Sequence, residues 1–242
     1  FRKLLWRLSE KNIYKITCPT QETYNNLSKI PYLKDKLVIL RDPILSISEI
    51  NKKKKKELDE NLPKGDFILS IGRLTRQKNF KFLIDSFDKI LEHIPNLKLI
   101  ICGVGEEENP LKLLIKKKAR EKNIILAGYV ENVYYAIKNS KFFVLTSEWE
   151  DPGFVIIEAM FCNKIVLSSN CESGPTEIIS HKDNGFLFEK NNTLDFLNKF
   201  IEINNLIENN SKNITKMKIK AKRKTLNYSL FRHYSILKKI FD

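Results

Sequence analysis

The sequence predicts an α/β fold in which a parallel sheet is covered by helices on both faces, and three observations predict it. From residue 67 onward, short apolar runs alternate with helical patterns, the order expected of βαβ units. The runs are continuously apolar, as strands buried on both faces are. Glycine and polar residues gather just after them, where open parallel sheets take their ligands. We read residues 63–204 as one Rossmann-like domain, preceded by 1–62 and followed by C-terminal helices over 205–242. A chain of 242 residues, 42% of them hydrophobic, is large enough to bury such a core.

In chain order, residues 1–10 read as a basic amphipathic helix with Leu4, Leu5 and Leu8 on one side. Residues 13–18 are strand-like. A helix begins at Thr20 or Gln21 and runs to Ile30, and 36–40 is strand-like until Asp42-Pro43 breaks it. Residues 47–62 form a charged helix ending at Pro63-Lys64-Gly65, the expected boundary. Strands are predicted at 67–71, 97–102, 124–127, 142–145, 165–168 and 185–188. Helices are predicted at 80–93, 110–122, 133–139, 154–162, 175–180 and 193–204, then from Lys212 and from Tyr228. There is no internal repeat.

The net charge of +14 raises the question of a polyanionic partner. The excess is spread along the chain, its densest run being Lys52 to Lys56, and no aromatic-basic cluster of a single-strand binding module is present. Solubility, an anionic membrane surface and a nucleic acid are the uses for this charge, in that order; no nucleic acid is expected. No apolar run approaches the roughly 18–20 residues that cross a bilayer. Cys18, Cys102, Cys162 and Cys171 are too widely spaced for a metal or redox motif and read as core residues of a reducing compartment. The start at Phe1 suggests a fragment or a processed chain.

The chemistry gathers in Glu148-Trp149-Glu150-Asp151-Pro152-Gly153-Phe154-Val155-Ile156-Ile157-Glu158. A strand runs into a Pro-Gly turn and then a helix N-terminus, whose free N–H groups and positive dipole end suit a phosphate. Glu150 and Glu158 bracket that anion site with seven residues between them. A carboxylate beside an anion has hydroxyls to accept from, and a nucleotide sugar has that layout: ribose, diphosphate, sugar. A second stretch, Gly72-Arg73-Leu74-Thr75-Arg76-Gln77-Lys78-Asn79, also leaves a strand and enters a helix. Arg73 offers paired donors and Lys78 a mobile charge for one anion; Arg76 is expected to face solvent. Gly103-Val104-Gly105 lacks the third glycine of a dinucleotide fingerprint and is followed by three glutamates. His93, His181 and His233 stand apart from the strand ends. No Asp-x-Asp is present, and no metal is expected.

Glu150 to Glu158 resembles the E-x7-E signature of the family 4 (group 1) retaining glycosyltransferases, which have the GT-B architecture. The resemblance is good over roughly residues 67–188 and loose on the flanks. It implies that Glu158 holds the ribose and Glu150 the donor-sugar hydroxyls. It also implies that the helix start at Gly153, Phe154 and Val155 faces the diphosphate together with Gly72, Arg73 and Lys78. By the same resemblance Gly128-Tyr129 meets the base, and residues 171–179 close over the sugar. The commoner family form has Glu-Gly-Phe-Gly after the first Glu; here Asp151-Pro152-Gly153-Phe154 follows Glu150, and Asn79 stands where Gly is frequent.

The implied activity is metal-independent, retaining transfer of a hexose from a nucleotide-diphosphate sugar to a glycan or lipid-linked acceptor in polysaccharide biosynthesis. No cofactor is implied, and UDP is favoured over GDP. The implied location is the cytoplasm, peripheral on the inner face of the cell membrane. Residues 1–62 are then a remnant of the acceptor domain plus a linker, with 205–242 packing back on it. Two other functions compete: a non-catalytic nucleotide-sugar-binding fragment, and a basic nucleic-acid-binding protein.

Overall fold

The chain enters on a short helical turn, Glu10–Asn12, and a strand, β1 (Ile16–Cys18). The computed structural model describes residues 10–55, 66–171 and 173–242. The helix expected over 1–10, apart from its last residue, and the latter part of that expected over 47–62 lie outside them. Helix α1 (Gln21–Ser28) follows, capped by Thr20, whose Oγ1 accepts from Thr23 N at 3.1 Å. Strand β2 (Leu37–Ile39) pairs in parallel with β1, Ile16 opposite Leu37 and Cys18 opposite Ile39. Cys18, Leu33 and Leu37 form the small core beneath them.

Residues from Ile47 to Thr225 form a separate unit. Its elements are α2 (Ile47–Lys53), β3 (Phe67–Ile71), α3 (Phe80–His93), β4 (Lys98–Cys102), α4 (Glu108–Lys117), β5 (Ile124–Gly128) and α5 (Val133–Asn139). Then come β6 (Phe143–Leu145), α6 (Phe154–Phe161), β7 (Val166–Ser169), α7 (Pro175–Ile178), β8 (Phe186–Phe188), α8 (Thr193–Glu208) and α9 (Lys212–Thr225). The six strands pair in parallel in the order β5-β4-β3-β6-β7-β8. The predicted class is thereby met. Side chains alternate across a strand. Ile68, Leu99, Ile101, Val144 and Leu167 therefore join one core cluster with Phe87 of α3 and Phe200 of α8. Leu69, Ile100, Phe143 and Val166, equally buried, turn to the other face, where α6 packs on β6 and β7.

The unit boundaries fall at Ser46/Ile47 and Thr225/Leu226, whereas the Pro63-Lys64-Gly65 break and the end of the helix predicted over 193–204 suggested 62/63 and 204/205. Packing explains the difference. Helix α2 buries Ile50 and rests on α5, while α9 buries Met217 and Ala221 and rests on α6. Both are charged helices with one apolar edge, and that edge belongs to the sheet unit. The remaining C-terminal helix, α10 (Leu230–Phe241), is grouped with the first unit. There Leu45 N donates to Tyr228 O at 3.0 Å, and Arg41 lies 5.2 Å from the centre of the Tyr228 ring. Among the described residues no helix is long and apolar enough to cross a membrane.

Candidate functional site

The strand order reverses between β3 and β6, so the crevice beyond their C-terminal ends is the switch point where such sheets take ligands. Both informative stretches of the sequence end there. The loop after β3 tightens into a helical turn, Arg76–Lys78, and Asn79 follows in the left-handed region, φ 50° and ψ 44°. Asn tolerates that conformation better than most residues, and its side chain is then free to cap α3 by accepting from Phe82 N at 3.3 Å. The Asn79 amide nitrogen donates to Glu148 Oε1 at 2.7 Å. Glu148 N donates to Gln77 O at 2.8 Å, and Gln77 Nε2 to Trp149 O at 2.9 Å. Thr146 Oγ1 donates to the carbonyls of Lys78 and Asn79. The two loops are thus tied into one platform.

On that platform the Lys78 ammonium meets Glu150 Oε1 at 2.5 Å. The lysine stem lies over Gly72, where an added Cβ would stand 3.2 Å from three of its methylenes. Ser147 Oγ donates to the same Glu150 oxygen at 2.5 Å, and Ser169 Oγ holds Ser147 O at 2.7 Å. The pair is well covered: the side chains of Lys78 and Glu150 are 14% and 5% exposed. Beside it the chain turns through a cis Asp151–Pro152 peptide to Gly153. Gly153 has φ 87°, which a residue with a Cβ adopts only under strain. An added Cβ there would lie 3.6 Å from Glu150 Cβ. Helix α6 starts at this point, and the N–H groups of Phe154 and Val155 have no acceptor among the described residues.

Glu158 stands in a different setting. It is the only charged residue of α6, whose Ile156, Ile157, Ala159, Met160 and Phe161 are all buried. Tyr134 of α5 donates its hydroxyl to Glu158 Oε1 at 2.6 Å. Burial pushes the Glu158 carboxyl above its ordinary range, against the Tyr134 hydrogen bond and the charge of Lys53 on α2, which pull it down. The tyrosine hydroxyl is itself pushed far up by burial and by its bond to Glu158.

Of the residues singled out from sequence, the structure gathers Gly72, Lys78, Glu150 and Gly153, with Phe154 and Val155 next in the chain. Arg73 stands at the end of β3, exposed, its guanidinium making no hydrogen bond or ion pair among the described residues. Gly128 and Tyr129 lie two strands away at the end of β5. Gly128 O accepts from Gly103 N at 2.7 Å and Tyr129 is 76% exposed. Glu158 faces α5 and does not join the Lys78 pair. Glu148, Glu150 and Asp151 do not converge as a cation site, because Glu148 is engaged by Asn79 and Lys190, and Glu150 by Lys78. Tyr134 is the residue that sequence reasoning passed over. Its signal was a lone glutamate inside an otherwise apolar helix, which needs a donor from a neighbouring element.

Comparison with known proteins adds the following. A family model described as glycosyl transferases group 1 matches residues 49–224. An uncharacterized glycosyltransferase of Methanocaldococcus jannaschii is 37% identical over 181 residues, 71% of this chain and 44% of that protein. The N-acetylgalactosamine-N,N'-diacetylbacillosaminyl-diphospho-undecaprenol 4-alpha-N-acetylgalactosaminyltransferase of Campylobacter jejuni is 33% identical over 137 residues, 57% of this chain and 37% of that protein. The crystal structure of Anabaena Alr3699/HepE in complex with UDP superposes with a TM-score of 0.78 at 19% identity, covering 99% of this chain and 66% of that one. The chain spans less than half the length of the two relatives named here.

Proposed function

Since the chain belongs to the group 1 glycosyltransferases, we propose that its 47–225 unit binds a nucleotide-diphosphate sugar at the rim of β3 and β6. The observation that carries this reading is the convergence of Lys78 and Glu150, from loops on either side of the switch point, at the start of α6. In the free protein the two charges neutralise each other. A diphosphate arriving beside α6 competes for the Lys78 ammonium. Glu150, with Ser147 still on one oxygen, then accepts from the hydroxyls of the donor sugar. Arg73 supplies the second cation, and the amides of Phe154 and Val155, opened by Gly153, complete the anion site. Gly72 leaves room for the lysine stem. Glu158 accepts from the ribose, and the Gly128-Tyr129 turn meets the base.

For the protein as a whole we propose retaining, metal-independent transfer of a hexose to a glycan or lipid-linked acceptor in polysaccharide biosynthesis, without a cofactor. Departure of the nucleoside diphosphate builds negative charge on its phosphate oxygens. Donors fixed around those oxygens lower the barrier, the preorganised electrostatic effect that needs no metal. UDP is preferred to GDP as the donor nucleotide; the UDP held by the related Anabaena fold supports that choice. A cytoplasmic location on the inner face of the membrane fits an acceptor carried on a lipid, as in the Campylobacter relative's name.

Calorimetry with UDP and GDP tests the binding step. Lys78→Ala and Glu158→Ala are each expected to weaken UDP by at least tenfold while the far-UV spectrum stays unchanged. Unchanged affinity in both variants overturns the reading.

A further inference from the structure

We propose that Tyr134 is a positioning residue for the nucleoside side of this site: its hydroxyl holds one oxygen of Glu158 and leaves the other turned to the ribose. The inference rests on the reading of Glu158 as the ribose acceptor. It begins from an imbalance in α6, where Glu158 is the single charge in a helix that is otherwise apolar from Phe154 to Phe161. A carboxylate in such surroundings stays ionised only if donors reach it. Three elements face it. From α5 comes Tyr134, at 2.6 Å. From α2 comes Lys53, whose ammonium lies 5.9 Å from the centre of the Tyr134 ring and pairs with Glu49 at 2.8 Å. At the end of α6 itself stands Cys162, whose thiol burial pushes up to about 11 and which is therefore neutral. Lys53 acts on Glu158 only at long range, so the tyrosine is the group that fixes the carboxylate's orientation.

The tyrosine is suited to this task. Its ring has two rotatable bonds and is half-buried between α2 and α6, so little entropy is lost in holding the hydroxyl in place. The backbone at α5 is anchored as well: Asn132, just before the helix, donates through Nδ2 to Lys53 O at 2.9 Å. Since α5 follows the Gly128-Tyr129 turn, the same short segment that is read as meeting the base also orients the group that reads the sugar next to it. A carboxylate with one oxygen fixed presents its other oxygen, with two lone pairs in set directions, to a vicinal diol. Without the tyrosine, Glu158 rotates and takes a proton at higher pH, and in both events it accepts poorly.

The test is UDP titration by calorimetry between pH 5 and 8 on the parent chain, Tyr134→Phe, Glu158→Gln and the double variant. UDP's own phosphate ionisation is common to all four and cancels in affinity ratios. Tyr134→Phe keeps the ring and removes only the hydroxyl. It is expected to weaken UDP roughly tenfold at pH 7, the scale of one hydrogen bond to a charged group. It is also expected to move the low-pH loss of affinity to higher pH. In the Glu158→Gln background, adding Tyr134→Phe should change neither affinity nor pH profile. A Tyr134→Phe protein with parental affinity and profile, alongside a weakened Glu158→Gln, removes the tyrosine's role and leaves the ribose reading standing. A Glu158→Gln protein that binds UDP as the parent does removes both. The carboxyl carbon resonance of Glu158, followed against pH in ligand-free protein, gives a second readout: its midpoint must rise in Tyr134→Phe, and an unmoved midpoint also overturns the proposal.

Discussion

Glu150 meets a full positive charge, the Lys78 ammonium at 2.5 Å, whereas Glu158 meets only a neutral hydroxyl, that of Tyr134 at 2.6 Å. Seven residues separate the two acids, and both are sheltered from water. Their partners differ because their origins differ. Glu150 sits in the loop after β6, within reach of the neighbouring β3 loop and its cations. Glu158 lies more than a turn into α6 and faces α5, an apolar neighbourhood with one aromatic hydroxyl. The first acid is therefore stabilised by a partner that an anionic ligand can take away. The second is held by a neutral hydroxyl, which offers an anionic ligand no full charge to draw away. One site is built to exchange ions and the other to keep its geometry, which is the division of labour a diphosphate between two sugars asks for.

The largest test of this contrast is on stability. Removing one member of a covered ion pair leaves the other charge stranded, at a cost of about 3–5 kcal/mol, or roughly 6–20 °C in Tm for a chain of this size. Lys78→Met is expected to show that loss in thermal unfolding. Adding Glu150→Gln should recover most of it, because the remaining amide can still accept from Ser147 Oγ. If Lys78→Met unfolds at the parental temperature, the pair is not formed in solution and the contrast with Glu158 disappears. Tyr134→Phe leaves a stranded oxygen, not a stranded full charge pair, and should cost less than Lys78→Met.

Sequence and structure meet unevenly on these two acids. Elements bounded by strong local signals, such as 67–71, 80–93 and 133–139, come out of the sequence with the ends they have in the structure. The helix predicted over 110–122 stops at Lys117 because Ala119 takes φ 52°, a conformation no local pattern assigns to alanine. Lys78 and Glu150 were each legible as site residues because each stands just after a strand. Their mutual pairing was not, because 72 residues separate them and only the switch in strand order brings them together. Tyr134 was hidden for the same reason: its role exists only once α5 packs on α6. Likewise the apolar edges of α2 and α9 are too short to declare, among so many lysines, which unit they join.

A second, smaller effect concerns pH. Burial raises the Glu158 carboxyl in the folded chain above its unfolded value, so near that range the folded state holds more protons than the unfolded one. Stability attributable to this group is full below the unfolded pKa and is lost as pH rises through the folded one. Glu158→Gln has no such proton to lose. Its Tm relative to the parent is therefore expected to rise as pH increases above the ordinary carboxylate range and to level off once the folded carboxyl has ionised. A flat difference would mean that Glu158 ionises alike in both states, and a falling one that its folded value lies below the unfolded. Ligand affinity runs the other way, since the ribose needs the carboxylate, and UDP binding should weaken as pH falls. Opposite signs for folding and binding at one residue mark a group retained for its ligand at some expense to the fold.

Arg73 supplies the smallest structural effect and the control for both acids. It is exposed and makes no hydrogen bond or ion pair among the described residues, so Arg73→Ala should leave Tm within about 0.5 kcal/mol of the parent in free-energy terms. Its UDP affinity should nonetheless fall several-fold, and more at low salt than at high, because the lost contact is a charge on an anion. Lys78 must leave Glu150 before it reaches the diphosphate, whereas Arg73 leaves nothing. Per cation removed, Arg73→Ala should therefore cost binding without costing stability, while Lys78→Met costs both. A drop in Tm for Arg73→Ala would mean that the guanidinium serves the fold, and an affinity that does not change would mean that the anion site rests on Lys78 and the amides of α6 alone.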